Sequence, residues 1–282
     1  MSYDSTDARG PGLLRSLVRR GRSTVRRLLL PRRSRFFSEY DGPWADALQS
    51  IPGYGSPTIV QQVREALGAV RDGRAAHERD GVLFPSIQYS WPLLAGVLAA
   101  CAENRGRLSV LDIGGSLGST YFQNRKYLSL IPDLRWTVVE QKTFVRIGRN
   151  EFQTGILHFE DDLPKAVSMA QAQVAILSSS LQYLEFPKKV LETISESEVK
   201  HLIIDRTPFH SGLSNLLTIQ TVPPEIYPAQ YPAWILSLHK FEEQLAPHWE
   251  LLARFDTLEA PMRTRQGTAF FWQGAHYVRR GE

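Results

Sequence analysis

Five short apolar runs, each followed by polar residues, constrain the fold of this chain most strongly. The runs occupy residues 108–113, 136–139, 156–159, 174–177 and 202–204, and segments with helical spacing separate them. Because each run carries apolar residues on both faces, both faces should be buried, as in a parallel sheet covered by helices on two sides. Repeated strand–helix units predict an open, doubly wound α/β sheet that binds its ligand at the carboxyl ends of the strands.

The segments on either side of these units complete the predicted architecture. Residues 248–255 and 269–278 have the pattern of two strands joined by a polar turn, which predicts a final antiparallel pair and a mostly parallel sheet of seven strands. Residues 36–106 are predicted to form a strap and a helical cap in front of an α/β domain at 107–282. The aromatic- and proline-rich insertion at 206–246 is either a lid over the ligand face or a structural wrap along the sheet edge.

Positive charge is concentrated in the first 35 residues. This leader holds ten arginines and two acids, so the rest of the chain is mildly acidic although the whole carries a formal charge of +4. An acidic body lacks the clustered cations that bind phosphate backbones, and we expect no specific nucleic-acid partner. Leucines interleave with the arginines over residues 13–35, a pattern that fits peripheral membrane contact, a targeting segment or a solvated, disordered arm.

Several classes of protein are excluded by composition. The single cysteine, Cys101, rules out intrachain disulfides and cysteine-rich zinc sites. The seven histidines are scattered without the spacing of a metal-binding motif, so we expect no metal site. No apolar run approaches the roughly 20 residues that a membrane span needs. We therefore expect a cytoplasmic protein, with the inner membrane face as one location open to the leader.

The strongest local motif is the segment 110–118, which reads VLDIGGSLG. A strand, a tight glycine turn and a helix start bring backbone N–H groups and the positive end of a helix close to a ligand. The dinucleotide-binding fingerprint, aligned on Gly115 and Gly118, would need glycine at position 113, where the chain has Ile113. The acid Asp112 either faces a cofactor or caps the glycine loop through its backbone N–H groups.

This motif resembles the first motif of class I S-adenosylmethionine-dependent methyltransferases, which runs acid-x-Gly-x-Gly-x-Gly. Asp112, Gly114 and Gly118 match, whereas Ser116 replaces the middle glycine beside Gly115. The resemblance implies a Rossmann-like methyltransferase fold and S-adenosylmethionine as cofactor. It also implies a set of cofactor-binding residues along the chain: Asp112, Gly114, Gly115, Ser116, Gly118, Glu140, Asp161, Asp162 and Ser179.

Within that set, the resemblance gives each position a role. Glu140, which ends the second strand, is expected to hold the ribose hydroxyls. Asp161 or Asp162 is expected to meet the adenine, although both precede a leucine–proline pair and are equally suited to capping a helix. Ser179 belongs to the segment 178–184, which is similar to the segment after the fourth strand of that family.

A closer resemblance covers residues 36–280. The segments 40–44, 53–54, 78–80, 112–118, 178–184 and 204–208 are together similar to a bacterial family of inferred methyltransferases that is often associated with cell-surface polysaccharide genes. This resemblance implies a small-molecule or saccharide acceptor and a role in polysaccharide biosynthesis.

Methyl transfer to a hydroxyl is helped by a general base with a pKa near neutrality. Asp205, His210 and His239 are the candidates beyond the fifth strand, with His210 best placed in the sequence. Asp205 has an alternative role in a structural ion pair with Arg206. Two other functions stay open at this point: a nicotinamide-dependent oxidoreductase, and a non-catalytic membrane-docked interaction module that keeps the fold.

Overall fold

The computed structural model describes residues 32–33, 35–51, 53, 55–223, 226 and 228–281. Its N-terminal part contains short strands and three helices, in the order β1 (Arg32–Arg33), β2 (Phe37–Glu39), α1 (Trp44–Ser50), α2 (Pro57–Arg71), β3 (His77–Arg79), β4 (Val82–Phe84) and α3 (Trp91–Glu103). The helix that begins at Pro57 confirms the start predicted at Ser56-Pro57.

The α/β units follow without interruption. They are β5 (Arg107–Ile113), α4 (Ser119–Leu128), β6 (Asp133–Val139), α5 (Lys142–Glu151), β7 (Leu157–Glu160), α6 (Leu163–Ala170), β8 (Val174–Ser178), a 3₁₀ turn (Leu181–Tyr183), α7 (Pro187–Ser195) and β9 (His201–His210). The remaining elements are β10 (Leu216–Thr221), β11 (Gln230–Ser237), α8 (Leu238–Leu245), β12 (Trp249–Asp256), β13 (Met262–Arg263) and β14 (Ala269–Arg279).

The central strands lie in the order β7-β6-β5-β8-β9-β14-β12. β7, β6, β5, β8 and β9 are parallel neighbours, whereas β14 runs antiparallel to both β9 and β12. This order confirms the predicted doubly wound, mostly parallel sheet with its final antiparallel pair. The order reverses between β5 and β8, which is where a ligand crevice opens in such sheets.

Helices cover both faces of the sheet. One apolar layer contains Ile59, Leu67, Val97, Phe122 and Phe144, contributed by α2 to α5. The opposite layer is formed with α6, α7 and α8, through residues such as Ala166, Ile194 and Phe241. Burial on both faces explains why the strand sequences carry continuous apolar runs.

The segment 206–246 is largely regular structure. β9 continues to His210, β11 pairs in parallel with its end through Leu236↔Phe209, and β10 pairs antiparallel with both β11 and β2. Among the described residues of this segment, Arg206 and Tyr231 line the cavity described below. These paired strands satisfy their backbone groups within the sheet, and the two interpretations of the segment, lid or wrap, stay predictions.

The basic leader is described only at residues 32–33 and 35. Arg32 and Arg33 pair in parallel with Met262 and Arg263, so the chain joins the sheet just before the predicted boundary at residue 36. The predictions of membrane contact or targeting through residues 13–35 otherwise fall outside the described residues. Across the described part of the chain, no helix combines the length and apolar character required to cross a bilayer.

Candidate active site

A cavity of about 570 Å³ lies at the carboxyl ends of the parallel strands. One side of it is formed by the ends of β5, β6, β7 and β8 together with Asp205 and Arg206 of β9. Another side is formed by the cap, through residues 77–80 and 88–92. Its volume is in the range of small-molecule sites. The strand order therefore places the cavity where the sequence predicted a ligand site.

The glycine loop after β5 has a backbone that ordinary side chains disfavour. Gly114, Ser116 and Gly118 have φ values of 71°, 58° and 100°. A Cβ atom on Gly114 would lie 2.4 Å from the Cβ of Ser180, and one on Gly115 would lie 2.5 Å from the Asp112 carboxyl group. Glycine is thus required by close packing at both positions, and Gly114, Gly115 and Ser116 line the cavity.

Asp112 lies beneath this loop and is not among the residues that line the cavity. Its side chain is almost fully buried, and its Oδ2 accepts a hydrogen bond of 3.0 Å from the indole N–H of Trp136. Burial raises the pKa of Asp112 to about 7. Asp112 thus lies under the loop with Trp136 as its hydrogen-bond donor, and its predicted contact with the cofactor stays a prediction.

Glu140 stands at the end of β6 and lines the cavity beside the glycine loop. Its Oε2 accepts a hydrogen bond of 2.7 Å from the backbone N–H of Gln141, which fixes the direction of the carboxylate. Enclosure by the surrounding protein raises the pKa of Glu140 to about 7. A carboxylate held in this way can accept two hydrogen bonds from a pair of neighbouring hydroxyls.

The two acids after β7 have different positions. Asp161 lines the cavity together with Leu163. Asp162 caps helix α6, because its Oδ1 accepts a hydrogen bond of 2.8 Å from the backbone N–H of Lys165. Asp162 therefore has the capping role, and adenine contact by Asp161 stays a prediction.

The end of β8 pairs with Asp205 in the middle of β9, and Asp205 lines the cavity and is almost fully buried. Its Oδ2 accepts a hydrogen bond of 2.9 Å from Ser178 Oγ and lies 3.6 Å from Nε of Arg206. Burial raises the pKa of the Asp205 carboxyl group. The backbone N–H of Ser179 donates to the carbonyl of Asp205 at 2.8 Å, which ties the two strands together.

Besides Asp112 and Asp162, three of the residues singled out from the sequence lie outside the cavity. His210 is buried against a turn, where its ring bonds the Ser214 carbonyl at 2.9 Å and the Gly212 N–H at 3.2 Å. His239 is exposed on α8. Gly118 directly precedes α4 and packs against Leu157, where an added Cβ would lie 3.0 Å from that side chain.

Several cavity residues from the cap were not identified from the sequence. They are His77, Glu78, Arg79, Tyr89 and Trp91. The signal that could have found the first three is the pair Asp80-Gly81, with φ values of 52° and 76°, which is typical of a two-residue hairpin turn. This turn joins β3 to β4 and brings β3 over the cavity.

Unusual backbone conformations cluster at this site. Among the described residues, six non-glycine residues have φ values in the left-handed region, and four of them line the cavity: Asp80, Ser116, Ser179 and Arg206. Such conformations cost free energy and tend to be kept where they serve a binding or catalytic site. Their concentration supports the assignment of this cavity as the functional site.

The residues present fit S-adenosylmethionine. The backbone of the glycine loop borders the cavity, Glu140 offers oxygens to ribose hydroxyls, and the buried Ser116 Oγ has no hydrogen-bond partner among the described residues. Within the described part of the chain, no group of three or more His, Cys, Asp or Glu side chains is arranged to hold a metal ion.

No protein-family model matches the chain, and no curated protein matches it. Among solved structures, it is similar to the N-terminal domain of EvdMO1 in the presence of S-adenosylhomocysteine and D-fucose, with 12% identity, coverage of 78% of this chain and 97% of that one, and a TM-score of 0.47. It is also similar to the 1,6-didemethyltoxoflavin-N1-methyltransferase of Burkholderia thailandensis (16% identity, 87% and 95% coverage, TM-score 0.42).

A third similar structure is an amino pentose methyltransferase from Micromonospora echinaspora with bound S-adenosylmethionine (10% identity, 76% and 96% coverage, TM-score 0.42). At such identities and TM-scores these likenesses transfer no residue roles to this chain. Its chemistry is therefore argued from the residues of its own cavity.

Proposed function

We propose that this chain is an S-adenosylmethionine-dependent methyltransferase with a small or sugar-like acceptor. The observation that carries the proposal is the meeting of two elements at one cavity: the glycine loop of 114–116 and the fixed carboxylate of Glu140 at the neighbouring strand end. A glycine loop at the start of a helix can bind the amino acid portion of a cofactor, and an acid at the end of the neighbouring strand can bind its ribose.

The cofactor would bind across the ends of β5, β6 and β7. Glu140 would hold the ribose hydroxyls, while Asp161 and Leu163 would contact the adenine. Gly114, Gly115 and Ser116 would lie against the amino acid portion, with Ser179 closing the side toward β8. When bound, this cofactor supplies an activated methyl group on a sulfonium and leaves as a thioether.

The acceptor would occupy the part of the cavity bounded by β9 and the cap. Asp205 is our candidate base: its carboxylate lines the cavity, and Ser178 and Arg206 hold it in place. There it would accept the proton of an acceptor hydroxyl as the oxygen–carbon bond forms and the sulfur–carbon bond breaks. Its raised pKa makes it a better proton acceptor than an ordinary aspartate at neutral pH.

Aromatic side chains at the cap side fit a ring-shaped acceptor. Tyr89 and Trp91 both line the cavity, their ring centroids lie 4.7 Å apart, and Trp91 is 56% exposed. Flat aromatic faces pack well against the C–H faces of a sugar ring. A role in cell-surface polysaccharide biosynthesis, in the cytoplasm or at the inner membrane face, is the finer form of this proposal and follows from the sequence resemblance.

Calorimetry of the full chain with S-adenosylmethionine, S-adenosylhomocysteine and NAD tests the cofactor. We expect the first two to bind, and Glu140→Gln to weaken their binding by about 10- to 100-fold through loss of charge-assisted hydrogen bonds. The control is Glu250→Gln, since Glu250 is an exposed acid on β12, outside the cavity. Binding of NAD alone would favour an oxidoreductase, and a folded protein that binds none of the three would overturn the proposal in favour of an interaction module.

A further inference from the structure

A second buried carboxylate faces the cavity from the cap. Glu78, on β3, is 2% exposed and lines the cavity. One of its oxygens accepts a hydrogen bond from Ser119 Oγ, and Oε2 accepts one of 3.1 Å from the backbone N–H of Gly81. Ser119 is the first residue of α4, directly after the glycine loop, so the carboxylate of Glu78 lies beside that loop.

Across the described residues, no lysine, arginine or histidine forms an ion pair with Glu78, although its two hydrogen bonds fix its position. A buried carboxylate is costly unless a positive group compensates it. Arg206 attracts Glu78 without pairing with it and offsets only part of that cost. Burial accordingly raises the pKa of Glu78 to about 7. A cationic ligand group in the cavity would supply the missing compensation.

The proposed cofactor carries such a group, namely the ammonium of its amino acid end. A partner for this ammonium is needed near the glycine loop. Asp112, the acid of the loop motif, is enclosed beneath the loop against Trp136 and Gly115 and does not line the cavity. Glu78 is the acid that the fold does bring to the cavity beside the start of α4.

Resting on the proposed function, we propose that Glu78 binds the α-ammonium group of the cofactor, so that the β3–β4 hairpin of the cap completes the cofactor site. A role as general base agrees less well with the geometry, because donors already occupy both carboxylate oxygens and favour the ionised form. Each oxygen retains a lone pair for an ammonium N–H. The Asp80-Gly81 turn then has a function, since its Gly81 N–H orients the carboxylate.

Two ligands separate this role from a general effect on the cavity. S-adenosylhomocysteine has the amino acid end, whereas 5′-methylthioadenosine has the same adenosine and thioether without it. In calorimetry of the full chain, we expect Glu78→Gln to weaken S-adenosylhomocysteine by about 10- to 100-fold. The affinity of Glu78→Gln for 5′-methylthioadenosine should stay within about twofold of the unmodified chain. Glu140→Gln should weaken both ligands, and Glu250→Gln neither.

The outcomes distinguish the two proposals. If the unmodified chain binds neither ligand, the proposed function itself fails. If it binds both and Glu78→Gln weakens them equally, or leaves both unchanged, the assignment of Glu78 is wrong. Should Glu78→Gln not fold, the analogue of S-adenosylhomocysteine without its α-amino group gives the answer on the unmodified chain: a loss of less than about twofold against S-adenosylhomocysteine overturns the inference.

Discussion

Substitution of Gly114 by alanine should separate two costs at the glycine loop, backbone conformation and overlap with a neighbour. The φ of Gly114 is 71°, and its added Cβ would lie 2.4 Å from Cβ of Ser180. Gly73 offers a matched control, because its φ is 75° and nothing lies within 4 Å of its added Cβ. Both alanine variants therefore incur the left-handed backbone cost, and only one incurs the overlap.

The magnitudes follow from these contacts. A left-handed alanine costs about 1–2 kcal/mol, so Gly73→Ala should lower the free energy of unfolding by that amount. Gly114→Ala adds an overlap that neighbouring atoms must move to relieve, which costs about 1–3 kcal/mol in a packed interior. We therefore expect Gly114→Ala to lower the free energy of unfolding by about 2–5 kcal/mol in total.

A double-mutant cycle with Ser180→Gly isolates the overlap. Ser180→Gly removes the Cβ that the methyl group added by Gly114→Ala would meet, and it also loses the 2.6 Å hydrogen bond from Ser180 Oγ to the Ile113 carbonyl. The single change should cost about 1–2 kcal/mol through that bond and the added chain entropy. The double variant should be more stable than the sum of the two single changes predicts, by about 1–3 kcal/mol.

Urea unfolding followed by circular dichroism measures the stability of the unmodified chain and of the four variants. The same samples can be titrated with S-adenosylhomocysteine, whose binding should fall with Gly114→Ala and remain with Gly73→Ala. The packing argument is refuted if Gly114→Ala is no more destabilising than Gly73→Ala, or if the effects of Gly114→Ala and Ser180→Gly are simply additive.

Two further predictions concern stability. Burial raises the pKa of Asp112 from 3.8 to about 7. Between about pH 4 and 7 the folded state therefore holds a proton that the unfolded chain releases. The free energy of unfolding should fall by up to about 4 kcal/mol as the pH rises through this range. Asp112→Asn, which can still accept from Trp136, should flatten that part of the profile in urea unfolding at several pH values; equal slopes would contradict this. Arg279 donates to three backbone carbonyls at 2.6–3.2 Å and lies 4.8 Å over Trp249, so Arg279→Ala should cost about 2–4 kcal/mol. Arg280 is exposed and donates to one carbonyl, so Arg280→Ala should lower the free energy of unfolding by less than about 1 kcal/mol. Equal losses of stability in Arg279→Ala and Arg280→Ala would contradict this prediction.

Local patterns in the sequence determined the strands, the glycine loop and the polar strand ends. The runs at 108–113 and 174–177 were recognisable because a strand buried on both faces must be apolar along its length. Glu140 and Asp161 could be placed at the cavity because parallel strands bring their carboxyl ends to one edge. These conclusions needed only the chain order and the rules of parallel sheets.

Only the tertiary structure decided which polar groups line the cavity. His210 follows the fifth strand as a catalytic histidine could, yet β9 continues through it and its ring binds the next turn. Asp112 is turned under the loop by Trp136, which is 24 residues away, and Glu78 reaches the site through Ser119, which is 41 residues away. Such contacts depend on how distant elements pack, and the hydrophobic periodicity that reveals helices and strands carries no information about them.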